Sequence, residues 1–365
     1  MQKSNIIIIS IVLVLLIAII GYFTLSTPTT ANGEIVITDM VGRTVSIPAQ
    51  PEKIVSTSGT LTTILYMIAP DKLSALSSDF NNVSYVPDKY RKLPVIGAWH
   101  GHGDGNDEAL LSLNPDLIID SPRVRDGVVV QSDLDLIIKK FSPIPVIAVP
   151  ETANITNIGD TYDFLGKVYG GDSKASLLKD TLNRYLDLGN QNKEKTKDNP
   201  VKVYYAQSGD GLTTSPAGSE HAQILDIIGA DNVAKDTGTQ AGTFTVSIEQ
   251  VIKWNPDVII TIDSNFYNGI YSNSQWKDIN AVKNKKVYLV PEDPYNWFDM
   301  PPGSNLIIGI PWALKVVYPE QNTNLDMKKE LKEFYSNFYH YDLTDGDVND
   351  ILGGSGLKII NMTDT

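Results

Sequence analysis

A motif that occurs twice in this chain constrains its fold more than any other feature. Residues 108–120 read EALLSLNPDLIID, and residues 249–261 read EQVIKWNPDVIIT. In each copy the pattern predicts a short helix that ends at Asn-Pro-Asp, because proline interrupts helices, and an apolar strand that follows. A fainter repeat relates residues 64–73 to residues 224–233. Together the repeats predict two equivalent α/β units in one chain.

Short apolar runs elsewhere in the chain extend the same pattern. Continuous apolar strands that alternate with helices are typical of parallel sheets covered by helices on both faces. The predicted strands are residues 54–56, 117–120, 146–149, 201–205, 258–262 and 287–290. We therefore expect an α/β fold with two Rossmann-like lobes that contain mainly parallel sheets.

A helical region between the two units predicts a long, stiff connection. Residues 157–195 carry apolar side chains at helical spacing, interrupted at Gly170-Gly171. A chain of 365 residues also has the length of two domains. We expect an N-terminal lobe over residues 32–155, a connecting helix region over residues 156–198 and a C-terminal lobe over residues 199–365. The cleft between two such lobes is where a small ligand would bind.

The N-terminal segment predicts the compartment. Residues 6–23 are almost entirely apolar, and as a helix they would span about 27 Å, close to the thickness of a bilayer core. Lys3 precedes the stretch and Glu34 follows it, so the positive-inside rule places the rest of the chain outside the cytoplasm. We interpret residues 1–31 as a transmembrane anchor with its tether. A signal peptide cleaved near Ala31 is the alternative, although the expected cleavage pattern is poor there.

Composition excludes several classes of function. Asp and Glu number 43 against 30 Lys and Arg, which gives a net charge of −13 and argues against nucleic-acid binding. The sequence has no cysteine, so it excludes disulfide scaffolds, thiolate metal sites and lipid attachment through a cysteine. Glycosylation sequons occur at Asn82, Asn154 and Asn361, and we expect them to be unused.

Signatures of enzymes are missing from the sequence. It contains neither a phosphate-binding P-loop nor a G-x-S-x-G nucleophile motif, and its four histidines are scattered. We therefore expect a protein that is not an enzyme and that carries no cofactor.

Several segments, taken in order, resemble the solute-binding proteins of ABC importers for iron–siderophore complexes, haem and cobalamin. The segments are residues 37–48, 51–55, 108–120, 249–261, 276–291 and 312–320. The resemblance covers about residues 35–352 and implies two α/β lobes bridged by one long helix, with modest closure on ligand. It also implies that the chain delivers its ligand to a membrane permease with a cytosolic ATPase. We expect a monomer.

Glu108 and Glu249 open the two copies of the repeat. A carboxylate complements the positive end of a helix, so both residues have a purely structural explanation. In the family that the chain resembles, one glutamate on each lobe meets arginines of the two permease subunits. This resemblance makes Glu108 and Glu249 candidates for docking to the permease.

The segment WHGHGDG at residues 99–105 is the most unusual one in the chain. His100 and His102 would point the same way in an extended loop, and with Asp104 they could bind a metal ion. A loop in which Trp99 stacks on a ligand is the plainer interpretation, and an ordinary surface loop is the plainest. No firm metal site is predicted.

Other candidates for ligand binding follow the predicted strands, whose carboxyl ends face a cleft in folds of this kind. Arginines suit anionic ligands, and aromatic side chains suit flat or chelated ones. The candidates in the N-terminal lobe are Ser58, Thr60, Arg123 and Arg125, and those in the C-terminal lobe are Ser208, His221, Asn265, Tyr267, Tyr295 and Trp297. The arginines are equally explained as a solvated pair, His221 as a locally packed residue, and the aromatic residues as a buried plug.

The sequence thus predicts an extracytoplasmic solute-binding component of an ABC importer. Its expected ligand is an iron-type metal chelate, such as a siderophore complex or haem, or a corrinoid. A molybdate-like oxyanion or a free metal ion bound by the same fold is the first alternative. A surface-anchored sensor module and a metal-dependent hydrolase are the others.

Overall fold

The computed structural model describes residues 33–81, 83–99, 103–125, 127–150, 153–235 and 242–357. The predicted anchor over residues 1–31 lies outside these ranges, as do His100, His102 and the sequon asparagines Asn82 and Asn361. Among the helices of the described ranges, none combines the length and the apolar character needed to cross a bilayer.

The N-terminal part of the chain contains a hairpin and a three-stranded parallel sheet. Its elements are β1 (Glu34–Thr38), β2 (Thr44–Pro48), β3 (Ile54–Ser56), α1 (Gly59–Ile68), a 3-10 turn (Pro70–Lys72), α2 (Asp88–Arg91), α3 (Asp107–Ser112), β4 (Leu117–Asp120), β5 (Val124–Arg125), β6 (Val128–Val129), α4 (Gln131–Phe141) and β7 (Val146–Ala148). The strand order in the parallel sheet is β3-β4-β7. Every residue of these three strands is buried, which explains their continuous apolar sequence.

Two helices follow the first sheet. They are α5 (Gly159–Tyr169) and the 25-residue α6 (Asp172–Thr196). Gly170 ends α5 in the left-handed conformation, with φ at 66°, and Gly171 lies so close to α1 that a Cβ there would come within 2.8 Å of Ile68. The notch in the helical pattern therefore separates two helices, and glycine is required because α6 starts against α1.

The C-terminal part contains a four-stranded parallel sheet. Its elements are β8 (Lys202–Ala206), β9 (Thr213–Thr214), a 3-10 turn (Glu220–Ala222), α7 (Gln223–Ile228), β10 (Asp231–Asn232), β11 (Phe244–Thr245), α8 (Ile248–Trp254), β12 (Val258–Thr261), α9 (Ser264–Gly269), a 3-10 turn (Ile270–Ser272), α10 (Asn280–Lys283), β13 (Val287–Leu289), a 3-10 turn (Ser304–Leu306), α11 (Gly309–Val317), α12 (Met327–Phe334), a π-helical turn (Tyr335–Tyr339) and α13 (Asp345–Gly354). The strand order is β10-β8-β12-β13, and all neighbours are parallel. Helix α6 packs against α1 of the N-terminal part and against α7 and α11 of the C-terminal part, so it contacts both halves of the chain.

The repeated motif forms the same unit in both halves, α3–β4 and α8–β12. Asn114 and Asn255 end their helices in the left-handed conformation, with φ at 48° and 45°. Asparagine tolerates this conformation better than most residues. The asparagine thus turns the chain, and the following proline keeps the helix from continuing.

The aspartate of each repeat forms hydrogen bonds that join the strand after it to the neighbouring strand. Backbone N–H groups of Asp116 and Asp257 donate to the carbonyl oxygens of Lys53 and Lys202, both at 2.9 Å. The same aspartates accept the N–H groups of Lys53 and Lys202 through their carboxylates, at 3.1 and 3.4 Å. Each aspartate therefore sets the register of β4 on β3, or of β12 on β8.

The fainter repeat is also structural. After α1, Leu73 bridges Ile54 of β3 in parallel, and after α7, β10 pairs in parallel with β8. The prediction of an α/β fold with mainly parallel sheets is confirmed. In the described ranges the strands of the two halves form separate sheets, and the lobe boundaries remain a prediction.

Candidate functional site

The two halves of the chain meet at the loop that follows β3. Ser58 accepts the N–H of Leu61 at 3.3 Å and so caps α1, and its hydroxyl lies 3.2 Å from that of Thr60. A Cβ added at Gly59 would lie 3.7 Å from Pro301, which belongs to the loop after β13. The predicted residues Ser58 and Thr60 are therefore close together, and Pro301 of the C-terminal half approaches the chain between them.

Two residues before Pro301, Asp299 forms a buried hydrogen-bond network with the C-terminal sheet. The ring of His221 donates from Nδ1 to Oδ1 of Asp299 at 2.8 Å. Gln207 donates to Oδ2 at 2.9 Å, and Ser215 donates to the Gln207 carbonyl at 2.9 Å. Asp299 is fully buried, whereas the His221 side chain is 28% exposed. The bond to Asp299 raises the pKa of His221 above its ordinary value, so the site offers a partly exposed group that is readily cationic.

The loop that carries Asp299 is held by side-chain amides. Asn296 accepts the N–H groups of Phe298 and Asp299, both at 3.0 Å, and Asn305 donates to the carbonyl oxygen of Pro301 at 3.2 Å. Between the buried Asp299 and Pro301, Met300 has a positive φ of 55° and is half exposed. The loop therefore presents one flexible apolar side chain from a fixed backbone.

Tyr295 and Trp297 lie in the core. Trp297 has no exposed surface and Tyr295 is 9% exposed. Tyr295 packs between Phe80 and Tyr339, with ring centroids 5.4 and 5.9 Å away. These positions favour the buried plug over stacking on a ligand.

Trp99 is fixed by its neighbours in the N-terminal half. Its Nε1 donates to Asp107 at 2.7 Å, and its ring packs edge-on against Phe141 at 5.6 Å. A Cβ at Gly105 would lie 2.4 Å from the indole, so glycine there makes room for the ring. Asp104 accepts the N–H of residue 98 at 3.0 Å. In the described parts of the chain, no group of three metal-binding side chains is placed to hold an ion.

The two candidate arginines differ in whether a carboxylate pairs with them. Arg123 donates to Asp133 of α4 at 2.5 Å, so its charge is already paired. Arg125 is exposed in β5, and no carboxylate among the described residues forms an ion pair with it. Arg125 is therefore the better candidate for binding an anion.

The remaining candidates in the C-terminal half are dispersed. Ser208 donates to Asp210 at 2.6 Å within its own turn. Asn265 is exposed on α9. The hydroxyl of Tyr267 lies against Gly356 near the C-terminal end of the described chain, where a Cβ would come within 2.7 Å of it. Of these candidates in the C-terminal half, His221 bonds directly to Asp299 in the loop that approaches Gly59, and Ser208 follows Gln207, which bonds to the same aspartate.

Residues 54–294 match the sequence pattern of the family described as periplasmic binding protein. The chain belongs to this family. It is 26% identical over 327 residues to the molybdate-binding protein MolA of Haemophilus influenzae, covering 83% of this chain and 90% of MolA. It is also 26% identical over 257 residues to the vitamin B12-binding protein of Vibrio cholerae, covering 70% and 85% of the two chains.

A solved structure agrees with the family assignment. The ABC transporter solute binding protein from Sulfurospirillum deleyianum superimposes with a TM-score of 0.78 at 28% identity, over 87% of this chain and 99% of that one. The resemblance to ABC importer solute-binding proteins of the iron, haem and cobalamin class is confirmed. Because the family and these relatives are substrate-binding proteins, the prediction that the chain is not an enzyme is confirmed as well.

Glu108 and Glu249 occupy equivalent places in this binding protein. Each is the exposed second residue of its helix. The preceding caps are Asn106 and Ser247, whose side chains accept a backbone N–H of the first turn. Docking of the two glutamates to a permease remains a prediction.

The network around Asp299 was missed in part by sequence reasoning. Gln207 and Ser215 lie far from Asp299 along the chain, and no local pattern relates them. The one available signal was a lone aspartate in the aromatic segment 295–299, where burial demands polar partners.

Proposed function

We propose that this chain is the extracytoplasmic solute-binding component of an ABC importer, anchored by residues 6–23. Its two sheets would form lobes over residues 32–155 and 199–365, with the connecting region 156–198 between them. The ligand would bind where the lobes meet. The observation that carries this proposal is the close approach of Pro301, in the loop with Asp299, to the chain at Gly59, beside the partly exposed His221.

The ligand that we favour is a metal chelate, such as a ferric siderophore or haem, or a corrinoid. The similarity to a vitamin B12-binding protein supports this class. The exposed side chain of Met300 offers a deformable apolar contact, and the hydroxyls of Ser58 and Thr60 offer polar contacts to a chelating group. A ligand of this size requires both apolar and polar surfaces.

A molybdate-like oxyanion is the second candidate. The raised pKa of His221 favours a negatively charged ligand, as does the charge of Arg125, which no carboxylate of the described residues pairs. The chain is also similar to MolA along most of its length. An anionic ferric chelate would use the same charges. The charge of the ligand is therefore the first property to determine.

Binding of the purified full chain to a panel tests the proposal. Calorimetry would be run with ferric siderophores, haem, cobalamin, molybdate and nickel. We expect one member to bind at micromolar or lower concentration, and a His221→Ala variant to weaken an anionic ligand about tenfold. Arg91, an exposed arginine of α2, provides the control for Arg125: Arg125→Ala should weaken the anion and Arg91→Ala should not. A chain that binds no member of the panel would contradict the ligand class.

A further inference from the structure

The two copies of the repeat expose the same pair of side chains. Three residues after Glu108 lies Leu111, and three residues after Glu249 lies Ile252. Both aliphatic side chains are 44% exposed. Residues three apart in a helix share one face, so α3 and α8 each present a carboxylate beside a large apolar group.

Leu111 and Ile252 are exposed because they occupy equivalent positions in the two copies of the repeat. The residue before each aliphatic side chain, Leu110 or Val251, is fully buried and anchors its helix to a sheet. Single exposed aliphatic residues are ordinary on protein surfaces. Here the same exposure recurs at equivalent positions although the neighbouring residues differ, since Ser112 corresponds to Lys253.

Each helix also offers one available negative charge. Asp107, next to Glu108, is already bound by Lys140 at 2.9 Å. The carboxyl of Glu249 accepts from its own backbone N–H and from Ser247, and these bonds lower its pKa. Within the described part of the chain, neither Glu108 nor Glu249 forms an ion pair with a cationic side chain.

We propose that Leu111 and Ile252 form, with the two glutamates, a duplicated docking surface for the permease, which deepens the docking role given above and rests on the proposed function. Each copy places its aliphatic side chain in an apolar hollow beside a permease cation. An exposed ion pair contributes little by itself, whereas an adjacent apolar contact excludes water and strengthens it. Two equivalent patches on one chain fit a partner with two equivalent halves.

The test uses the permease–ATPase complexes of the host, reconstituted in nanodiscs, and measures their affinity for the full chain. Leu111→Ser and Ile252→Ser should each weaken the wild-type interaction about tenfold, and the double variant about a hundredfold, since each removes one buried aliphatic contact. Leu111→Ile and Ile252→Leu should retain the affinity. Leu136→Ser is the matched control, because Leu136 of α4 is 59% exposed outside the repeat.

Added salt separates the two contributions. Glu108→Gln and Glu249→Gln should weaken docking most at low salt, whereas the serine variants should lose the same factor at low and high salt. If the serine variants bind like wild type while the glutamine variants do not, the aliphatic contact is refuted and the glutamate docking stands. If only one of the two sites matters, the duplication is refuted. If the wild-type chain binds no complex, the proposed function itself fails.

Discussion

A buried carboxylate must satisfy its oxygens, and Asp299 does so with a residue that can carry the opposite charge. Its two oxygens accept from His221 and Gln207, so the network is well formed only while Nδ1 of His221 carries a proton. A neutral ring with its proton on Nδ1 can also donate to Asp299, but the carboxylate raises the pKa of His221 and so favours the cationic ring, which is partly exposed. The ring gives this part of the surface a charge that depends on pH.

Asp299→Asn is expected to reverse this preference. The amide carbonyl can still accept from Gln207, but the amide nitrogen would donate to Nδ1 of His221 and favour the neutral ring. The pKa of His221, followed by NMR, should therefore fall below that of the wild type. Glu220→Gln is the control, because Glu220 makes only a minor contribution to raising the pKa of His221.

The same substitution should change how stability depends on pH. A histidine with a raised pKa stabilises the fold below its ordinary value, and that contribution disappears as pH rises through the folded value. We expect Asp299→Asn to cost about 1–2 kcal/mol of unfolding free energy at pH 6 and clearly less at pH 9. Urea denaturation at both values measures this, and an equal loss at both would contradict the assignment.

At the scale of elements, the repeat owes its regularity to one backbone conformation. Asn114 and Asn255 share the left-handed turn, but only Asn255 uses its side chain to accept a distant N–H, that of Asn280, at 2.9 Å. The side chain of Asn114 is exposed and makes a weak local bond at 3.3 Å. The two asparagines should therefore respond differently to glycine.

Asn114→Gly should leave the unfolding free energy within about 0.5 kcal/mol of the wild type, because glycine adopts the left-handed region freely. Asn114→Ala should cost about 1 kcal/mol, the penalty of that region for a residue with a Cβ. Asn255→Gly should cost about 1 kcal/mol through the lost acceptor, and Asn255→Ala about 2 kcal/mol. Urea denaturation checks all four. An Asn114→Ala variant as stable as the wild type would refute the turn argument.

The secondary-structure elements also differ in how well the sequence predicts them. The strands and the helix–strand repeats were predictable, because burial on both faces leaves a continuous apolar run and Asn-Pro-Asp interrupts a helix. The hydrogen bonds by which Asp116 and Asp257 set the strand register could not be predicted, since they depend on which strand lies alongside. The roles of Trp297 and Tyr295 were equally ambiguous in the sequence, because an aromatic run after a strand is typical both of a ligand-binding surface and of a buried core.

At the scale of the molecule, one face of each sheet packs into a shared hydrophobic core, and the other face packs into a cluster of its own half. Ile119 of β4 and Ile260 of β12 belong to the same buried cluster. Around it, Tyr66 of α1 donates to the carbonyl oxygen of Tyr339 at 2.8 Å, and His340 donates to that of Tyr66 at 2.7 Å. Hydrogen bonds thus join the C-terminal segment to the N-terminal half, and each sheet buries one of its faces only in the shared core.

We therefore expect the chain to unfold in one transition, with calorimetric and van't Hoff enthalpies that agree. Tyr66→Phe and Tyr204→Phe form a matched pair. Each removes one buried hydroxyl that donates to a carbonyl at 2.8 Å, the first between the halves and the second within the C-terminal half. Each should cost about 1–3 kcal/mol, and both should lower the same transition, because the shared core makes the halves depend on each other. Two separable transitions, one sensitive to Tyr66 and the other to Tyr204, would show instead that the halves fold independently and that the core between them is only an interface.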